Sequence, residues 1–210
     1  MPLFYQHNIN DTSKLAVWHL TENEDFFLEK VSAQKEITHP HKRLQHLAGR
    51  YLLQILDPEF PLHLIRVSAS GKPLLPGRKA YFSISHCGNY AAAIISENKP
   101  VGIDVEMVTP KIEMIKNRFL SESEINLSEV NYKQPIMDHQ LLTLFWSSKE
   151  TVFKWFGKGQ ISFRKNINLA RLFIKDDGGF ITAHLSNSVK TNLKVEFKFF
   201  GTLCLSWVTA

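Results

Sequence analysis

The sequence predicts an α+β fold built from antiparallel sheets with flanking helices. Three observations carry this. Seven short segments read as strands, most separated by turn signals rather than by helical crossovers. Two longer stretches place apolar residues at helical spacing. No fixed-period repeat and no flexible linker divides the chain. A break near Glu97–Gly102, after the first group of strands, separates an N-terminal lobe, residues 1–100, from a C-terminal lobe, residues 101–210. Without a linker the two are expected to pack as one compact unit.

The elements follow in order. His41–Leu56 is an amphipathic helix, with Leu44, Leu47, Ala48, Tyr51, Leu52 and Ile55 on one face and Arg43, His46 and Arg50 as a basic stripe on another. Asp57-Pro58 ends it. Turns follow at Gly71-Lys72-Pro73 and Pro76-Gly77. Tyr81–His86 alternates, with Phe82 and Ile84 on one side and Ser83 and Ser85 on the other. Cys87-Gly88-Asn89 turns the chain into a partner strand, Tyr90–Ser96. Pro100–Glu106 is a further strand, with Val101, Ile103 and Val105 on one face and Gly102, Asp104 and Glu106 on the opposite one.

Pro110–Glu129 reads as helical with a break near Ser121, where Ser121-x-x-Glu124 is a capping box. His139–Phe156 is a long helix that packs through Leu141, Leu142, Phe145, Ser148, Val152, Phe153 and Phe156, and Gly157-Lys158-Gly159 stops it. Hairpins complete the chain: Leu172–Lys175 with Phe180–His184, and Val195–Phe200 with Leu203–Val208.

Composition narrows the function. The chain has 210 residues, 44% hydrophobic, with 15 Phe and 4 Trp, enough for a substantial core. Cys87 and Cys204 are too few for a disulfide framework or a four-cysteine zinc site, and they fit a reducing compartment. The N-terminus has no signal-peptide pattern. Ala80–Ser96, the longest stretch without Asp, Glu, Lys or Arg, is interrupted by polar residues and is no membrane span. A cytoplasmic protein is expected.

The net charge is +5, and its distribution is uneven. Lys149, Lys154, Lys158, Arg164, Lys165, Arg171 and Lys175 accompany a single acid, Glu150, and a second basic stretch runs from His39 to Arg50. Such patches suit anionic partners, although on charge alone a pair of solvated faces is the better reading.

Asp104 and Glu106, two apart on a strand, project from one face with backbone positions roughly 7 Å apart. Oxygen ligands so placed suit Mg²⁺ or Mn²⁺, and Gly102 leaves room beside them. Trp146, Glu150 and Lys154 at i, i+4, i+8 share one helix face; taken alone, Glu150 and Lys154 make an ordinary helix-stabilising pair. Lys158 between two glycines can approach a phosphate, yet no P-loop pattern is present. Ser85 and His86 point to opposite sides of their strand and so do not form a nucleophile–base pair.

Together these pieces resemble the 4′-phosphopantetheinyl transferases of the two-lobed type that activates surfactin synthetase. Gly102-Ile103-Asp104-Val105-Glu106 matches G-[IV]-D-[IV]-E. Trp146 to Lys154 matches W-[ST]-x-K-E-[SA]-x-x-K, with Thr151 in the small-residue place. Gly71-Lys72-Pro73, Phe82-Ser83-Ile84-Ser85-His86 and Arg118-Phe119-Leu120-Ser121-x-x-Glu124 match further segments in order, from about residue 41 to 165. Cys87 departs from the family's hydroxyl, and the basic residues ahead of the first long helix are thinner (Lys30, Lys35, Lys42, Arg43).

The resemblance implies two similar lobes, a pseudo-dimer with the active site between them, in a monomer. It implies transfer of phosphopantetheine from coenzyme A to a serine of an acidic carrier protein, with release of 3′,5′-ADP. Asp104, Glu106 and Glu150 become the ligands of Mg²⁺, with Mn²⁺ possible, and Lys154 the phosphoryl contact. Glu150 becomes the leading base and Glu124 a second one. Arg50, Lys72, Ser85, His86 and Lys158 become the coenzyme A contacts. Two other readings remain: a Mg²⁺-dependent enzyme acting on another nucleotide pyrophosphate, or a non-catalytic basic module binding an acidic protein or RNA. Three carboxylates inside a basic face count against the last, and no RNA-recognition motif is visible. Neither nucleic acid nor membrane is expected as a partner.

Overall fold

The computed structural model describes residues 3–32, 37–78, 80–129, 138–159, 161–187 and 190–210. Lys35 lies outside these residues. The chain begins with a hairpin that periodicity did not disclose, β1 (Leu3–Asn10) and β2 (Ser13–His19). Polar His7, Asn8 and Asn10 blur the alternation of β1. In β2, Leu15 to Trp18 are buried without interruption, on both faces. A short helix α1 (Glu24–Leu28) follows, capped by the Asn23 side chain, which accepts from the Phe26 N–H at 3.1 Å.

Helix α2 (Pro40–Leu56) starts one residue before the expected position, with Pro40 in its first turn and the His39 ring as cap. Its buried face is wider than the spacing predicts, and Leu53 and Leu56 join Leu47, Ala48 and Leu52. Each buried leucine is worth about 1.5–3 kcal/mol. Close packing explains the widening: a Cβ at Gly49 would meet the Ile84 side chain at 2.6 Å. Arg50, expected on an exposed stripe, is only 5% exposed, and its Nη2 donates to the Leu62 carbonyl at 3.3 Å.

A two-residue hairpin, β3 (Arg66–Val67) and β4 (Pro73–Leu74), leads to β5 (Tyr81–Cys87) and β6 (Tyr90–Ser96). The first sheet has the order β1-β2-β6-β5, antiparallel throughout. Next come β7 (Val101–Met107), a 3₁₀ turn at Pro110–Ile115, α3 (Lys116–Phe119), α4 (Glu122–Glu129) and α5 (Asp138–Phe156). The expected break falls between α3 and α4. After α6 (Phe163–Asn166), a meander β8 (Ile167–Lys175), β9 (Gly178–Ser186), β10 (Lys190–Phe200) and β11 (Leu203–Thr209) forms the second sheet, with the order β7-β11-β10-β9-β8. The fold is α+β, with each antiparallel sheet packed against helices.

The layers run helix, sheet, sheet, helix. One face of the first sheet, through Ala16, Trp18, Ala91 and Ala93, packs on α2. Its other face, through Leu15, Val17, Ala92 and Ile94, meets Val101, Ile103, Val105, Leu203, Leu205 and Trp207 of the second sheet. Helix α5 covers the far side of that sheet. Among the described residues, no helix is long and apolar enough to cross a membrane.

Helix α5 is buried on more sides than one packing face. Lys149, expected in an exposed basic run, is 0% exposed. Its ammonium donates to Glu124 and to the carbonyls of Phe119 (2.7 Å), Phe163 (3.0 Å) and Ile167 (2.8 Å). One cation thus ties α3, α6 and β8 to α5. Removing one partner of such a pair costs about 3–5 kcal/mol, because the other charge stays buried. Lys149→Met therefore lowers unfolding stability in urea by that amount, and adding Glu124→Leu restores part of it; a Lys149→Met melt like wild type contradicts the tie. Gly102→Ala costs about 3 kcal/mol, at the upper end of overpacking, because its Cβ would stand 2.2 Å from the Thr151 carbonyl oxygen.

Candidate active site

The two sheets meet edge to edge at β5 and β7. Instead of a backbone ladder, β5 offers hydroxyls: Ser83 Oγ accepts from the Ile103 N–H and Ser85 Oγ from the Val105 N–H, both at 3.3 Å. Period-two alternation aims these serines at β7 and the apolar Phe82 and Ile84 at α2. On the other face of β7, the missing side chain of Gly102 lets α5 lie directly on the strand. Trp146, Glu150 and Lys154 of α5 then come to the face that carries Asp104 and Glu106.

Asp104 is the centre of the arrangement and is 2% exposed. Its Oδ1 accepts from the Lys154 ammonium at 2.6 Å and from Ser85 Oγ at 2.8 Å, and Lys154 Nζ also donates to Ser85 Oγ at 2.7 Å. Lys154 is thus bound to the strand α5 lies on and, across the seam, to Ser85, rather than to Glu150 on its own helix. The second oxygen, Oδ2, is buried and has no hydrogen-bond partner among the described residues. Glu106 Oε1 accepts from the Trp146 indole N–H at 3.0 Å, and the Cys87 thiol, at the end of β5, lies within electrostatic reach of the same carboxylate.

The electrostatics are unbalanced. Burial, then repulsion from Asp104, raises the Glu106 carboxyl above its ordinary range. Burial, then Asp104, raises Glu150 to about 7, partly opposed by Lys154. Burial and Glu106 push the Cys87 thiol up to about 12. Among the described residues, these three carboxylates share the Lys154 ammonium. Hard oxygen donors, one of them orphaned, fit a small divalent cation such as Mg²⁺ or Mn²⁺. They have not closed on one point: among the described residues no three His, Cys, Asp or Glu side chains are already gathered as a metal site.

The other sequence-selected residues divide. His86 is exposed at the rim, yet the protein packed around its ring, then the Lys154 ammonium, lower its pKa. Lys158 is exposed beyond the end of α5, with Nζ 5.8 Å from the Phe156 ring centre. Lys72 is turned inward: its Nζ donates to the Lys154 and Trp155 carbonyls, and burial brings its pKa down to about 8. It borders a cavity of about 200 Å³ lined also by Ser70, Pro73, Phe82, Ser83, Ile84, Phe153 and Lys154. Arg50 lines no part of this cavity.

Glu124 stands apart from the acidic cluster. It is 0% exposed, and its carboxylate takes Lys149 together with the N–H groups of Ser121 (2.7 Å) and Leu169 (2.8 Å). Sequence reasoning missed Ser70, whose Oγ donates to the Gly157 carbonyl at 2.8 Å, and it gave the aligned hydroxyl of Ser83 no role. The alternation of β5 contained the signal for Ser83. Nothing in the local pattern marked Ser70.

A profile of the 4′-phosphopantetheinyl transferase superfamily matches residues 100–204, half of the chain, a span that holds Asp104, Glu106, Glu150 and Lys154. The chain belongs to this superfamily. It is 35% identical over 113 residues to a 4′-phosphopantetheinyl transferase of Bacillus subtilis, covering 53% of this chain and 48% of the relative. It is 32% identical over 148 residues to the transferase Sfp of Bacillus subtilis strain 168, covering 66% and 65%. With the transferase AcpT of Escherichia coli K12 it shares 31% over 120 residues, covering 55% and 59%. The chain thus spans about half to two thirds of the length of these relatives.

The raised Glu150 carboxyl has a thermodynamic consequence. A carboxyl whose pKa is higher in the folded than in the unfolded state destabilises the fold once it ionises, fully above pH about 7 and not at all below its ordinary value near 4.5. Without divalent cation, Glu150→Gln therefore melts a few degrees higher than wild type at pH 8, and the gap closes as the pH falls to 4.5. Equal melting temperatures at both pH values would show that the Glu150 carboxyl is not raised in the fold.

Proposed function

We propose that this protein transfers the 4′-phosphopantetheine group of coenzyme A to a serine of an acidic apo carrier protein, releasing 3′,5′-ADP. The observation that carries the reading is Asp104, held by Lys154 and Ser85 through one oxygen while the other oxygen is buried without a partner. Superfamily membership and the likeness to Sfp and AcpT support it.

The serine hydroxyl attacks the phosphorus that carries the pantetheine arm. The bond from that phosphorus to the bridging oxygen of the pyrophosphate breaks, and the oxygen leaves with 3′,5′-ADP. Glu150, beside the reacting centre on α5, accepts the serine proton directly or through water. Lys154 moves or leans from Asp104 toward the phosphoryl oxygens as charge builds on them. Ser85 keeps Asp104 oriented. Lys158 is the cation offered to the coenzyme's phosphates, and the neutral His86 ring offers them a hydrogen bond. Asp104, Glu106 and Glu150 would hold a divalent ion, which supplies positive charge for the pyrophosphate when bound. Glu124, with its oxygens engaged by Lys149 and two backbone N–H groups, serves the structure and not proton transfer.

The lobes divide at about residue 100, and one chain makes one site between its two sheets, so the active form is a monomer, placed in the cytoplasm with its substrates. The basic residues from Lys158 to Arg171 face an acidic carrier.

The test is intact mass of a panel of apo carrier proteins after incubation with coenzyme A and Mg²⁺. One carrier should gain the mass of a single phosphopantetheine group, and no mass change on any carrier would overturn the reading. Asp104→Ala lowers turnover at least ~10²-fold, the scale of losing one electrostatic stabiliser, and excess EDTA abolishes transfer. Lys154→Ala lowers kcat more than it raises the KM for coenzyme A, because its contribution grows with the charge of the transition state. A normal kcat with a lowered Tm would reduce Lys154 to a structural residue.

A further inference from the structure

Three hydroxyls are completely buried where α5 crosses the second sheet: Ser147, Thr151 and Ser206. Ser147 and Thr151 stand about one turn apart on α5, on the stripe next to the one that carries Trp146, Glu150 and Lys154. Ser206 is on β11, directly opposite Asp104 of β7, so the two side chains leave the sheet on the same face. Ser206 Oγ lies 2.8 Å from Ser147 Oγ and 2.6 Å from Thr151 Oγ1, and the Thr151 hydroxyl also reaches the Ser206 carbonyl at 3.2 Å. One arrangement uses each proton once: Ser147 donates to Ser206, Ser206 to Thr151, and Thr151 to the Ser206 carbonyl.

The setting is otherwise apolar. Cys204 and Val208 flank Ser206 on the same face of β11, and both are buried, as are Leu144 and Val152 of α5. Apolar contact is non-directional, so it holds a helix on a sheet without fixing its position along the strands. Hydrogen bonds between hydroxyls need one distance and one angle. Fixing register is the best-attested use of polar groups buried among apolar ones. Thr151 reaches two strands at once. Its hydroxyl bonds to β11, while its carbonyl oxygen lies so close to Gly102 of β7 that a Cβ there would stand 2.2 Å from it. The residue before it is Glu150. A register set at Thr151 is therefore also the register of Glu150 and Trp146 over the acids of β7, where a working site tolerates displacements of only about 0.5 Å.

We propose that Ser147, Thr151 and Ser206 are positioning residues: their hydroxyls fix where α5 sits on β7 and β11, and so hold Trp146 and Glu150 over Glu106 and Asp104. The kinetic consequence rests on the transfer reaction proposed above, whereas the register itself does not.

The experiment uses Thr151→Val, which keeps the shape and removes the hydroxyl, Thr151→Ser, which keeps the hydroxyl, and Ser147→Ala. The first arm needs neither substrate nor metal. The Trp146 indole N–H donates to Glu106 across the helix–strand contact at 3.0 Å, and the Trp18 indole N–H donates to Glu22 in the first lobe, also at 3.0 Å. Exchange of both indole protons with water is followed by nuclear magnetic resonance. In T151V the Trp146 proton exchanges about 10-fold or more faster than in wild type while that of Trp18 does not change, and T151S behaves as wild type. Unchanged exchange at Trp146 overturns the proposal. So does equal acceleration at Trp18, which marks a general loosening, and so does a T151S that resembles T151V.

The second arm measures transfer from coenzyme A to one apo carrier. Lost alignment lowers kcat about 10-fold or more in T151V and leaves the KM for coenzyme A unchanged, and T151S restores kcat. A normal kcat with a lowered Tm overturns the positioning role. Should T151V fail to fold, S147A carries both arms, with the same outcomes deciding. If wild type transfers nothing, the transfer reading has failed, and indole exchange still decides the register.

Discussion

The absence of a side chain at Gly102 is the constraint on which the site depends. A Cβ there would overlap the Thr151 carbonyl oxygen and crowd the Trp155 backbone, so only glycine lets α5 rest on β7. Close approach has two effects at once. It brings Trp146, Glu150 and Lys154 to the two acids of the strand, and it removes water from them. The raised carboxyls of Glu106 and Glu150 follow from that removal more than from mutual repulsion, since burial is the larger cause in both. Geometry and electrostatics of the site therefore have one origin in the packing of a helix on a strand.

The same helix treats two buried charge groups in opposite ways. Lys149 shares its three N–H groups among Glu124 and three carbonyls, and Glu124 accepts in addition from two backbone N–H groups and the Ser121 hydroxyl. Nothing is left over, and the pair acts as a fastener. One residue further along the chain, Glu150 belongs to a group with surplus negative charge and an orphaned Asp104 oxygen. A fold tolerates such a deficit where it has a use. The contrast separates Glu124 from the acidic cluster more firmly than distance along the sequence could.

The strands β5, β6 and β7 and the helices α2 and α5 were legible because their apolar residues repeat at periods of two and 3.6. Period two also put Asp104 and Glu106 on one face, and helical spacing put Trp146, Glu150 and Lys154 on another. What periodicity cannot express is which faces meet. Arg50 and Lys149 carry charge on stretches that read as exposed, and both are buried because a second partner covers a side of the helix that the pattern leaves polar. The bond from Lys154 to Asp104 rather than to Glu150 is likewise a fact of how α5 meets β7. The hairpin β1–β2 escaped notice for the opposite reason: β2 is buried on both faces, so it shows no alternation.

The pairing of β7 with β11 sets Glu106 opposite Cys204 and Asp104 opposite Ser206, roughly a hundred residues downstream, a separation that makes this contact late to form. At ordinary rates of translation, about 5–20 residues per second, β7 leaves the ribosome some 5–20 s before its neighbour exists. During that interval the edge that will pair with β11 is free, the kind of edge that recruits a second nascent chain. Asp104 and Glu106 then act as gatekeepers, since charge on an unpaired strand opposes edge-to-edge association. The residues that give the finished protein its acidic centre thus also guard the unfinished one against aggregation.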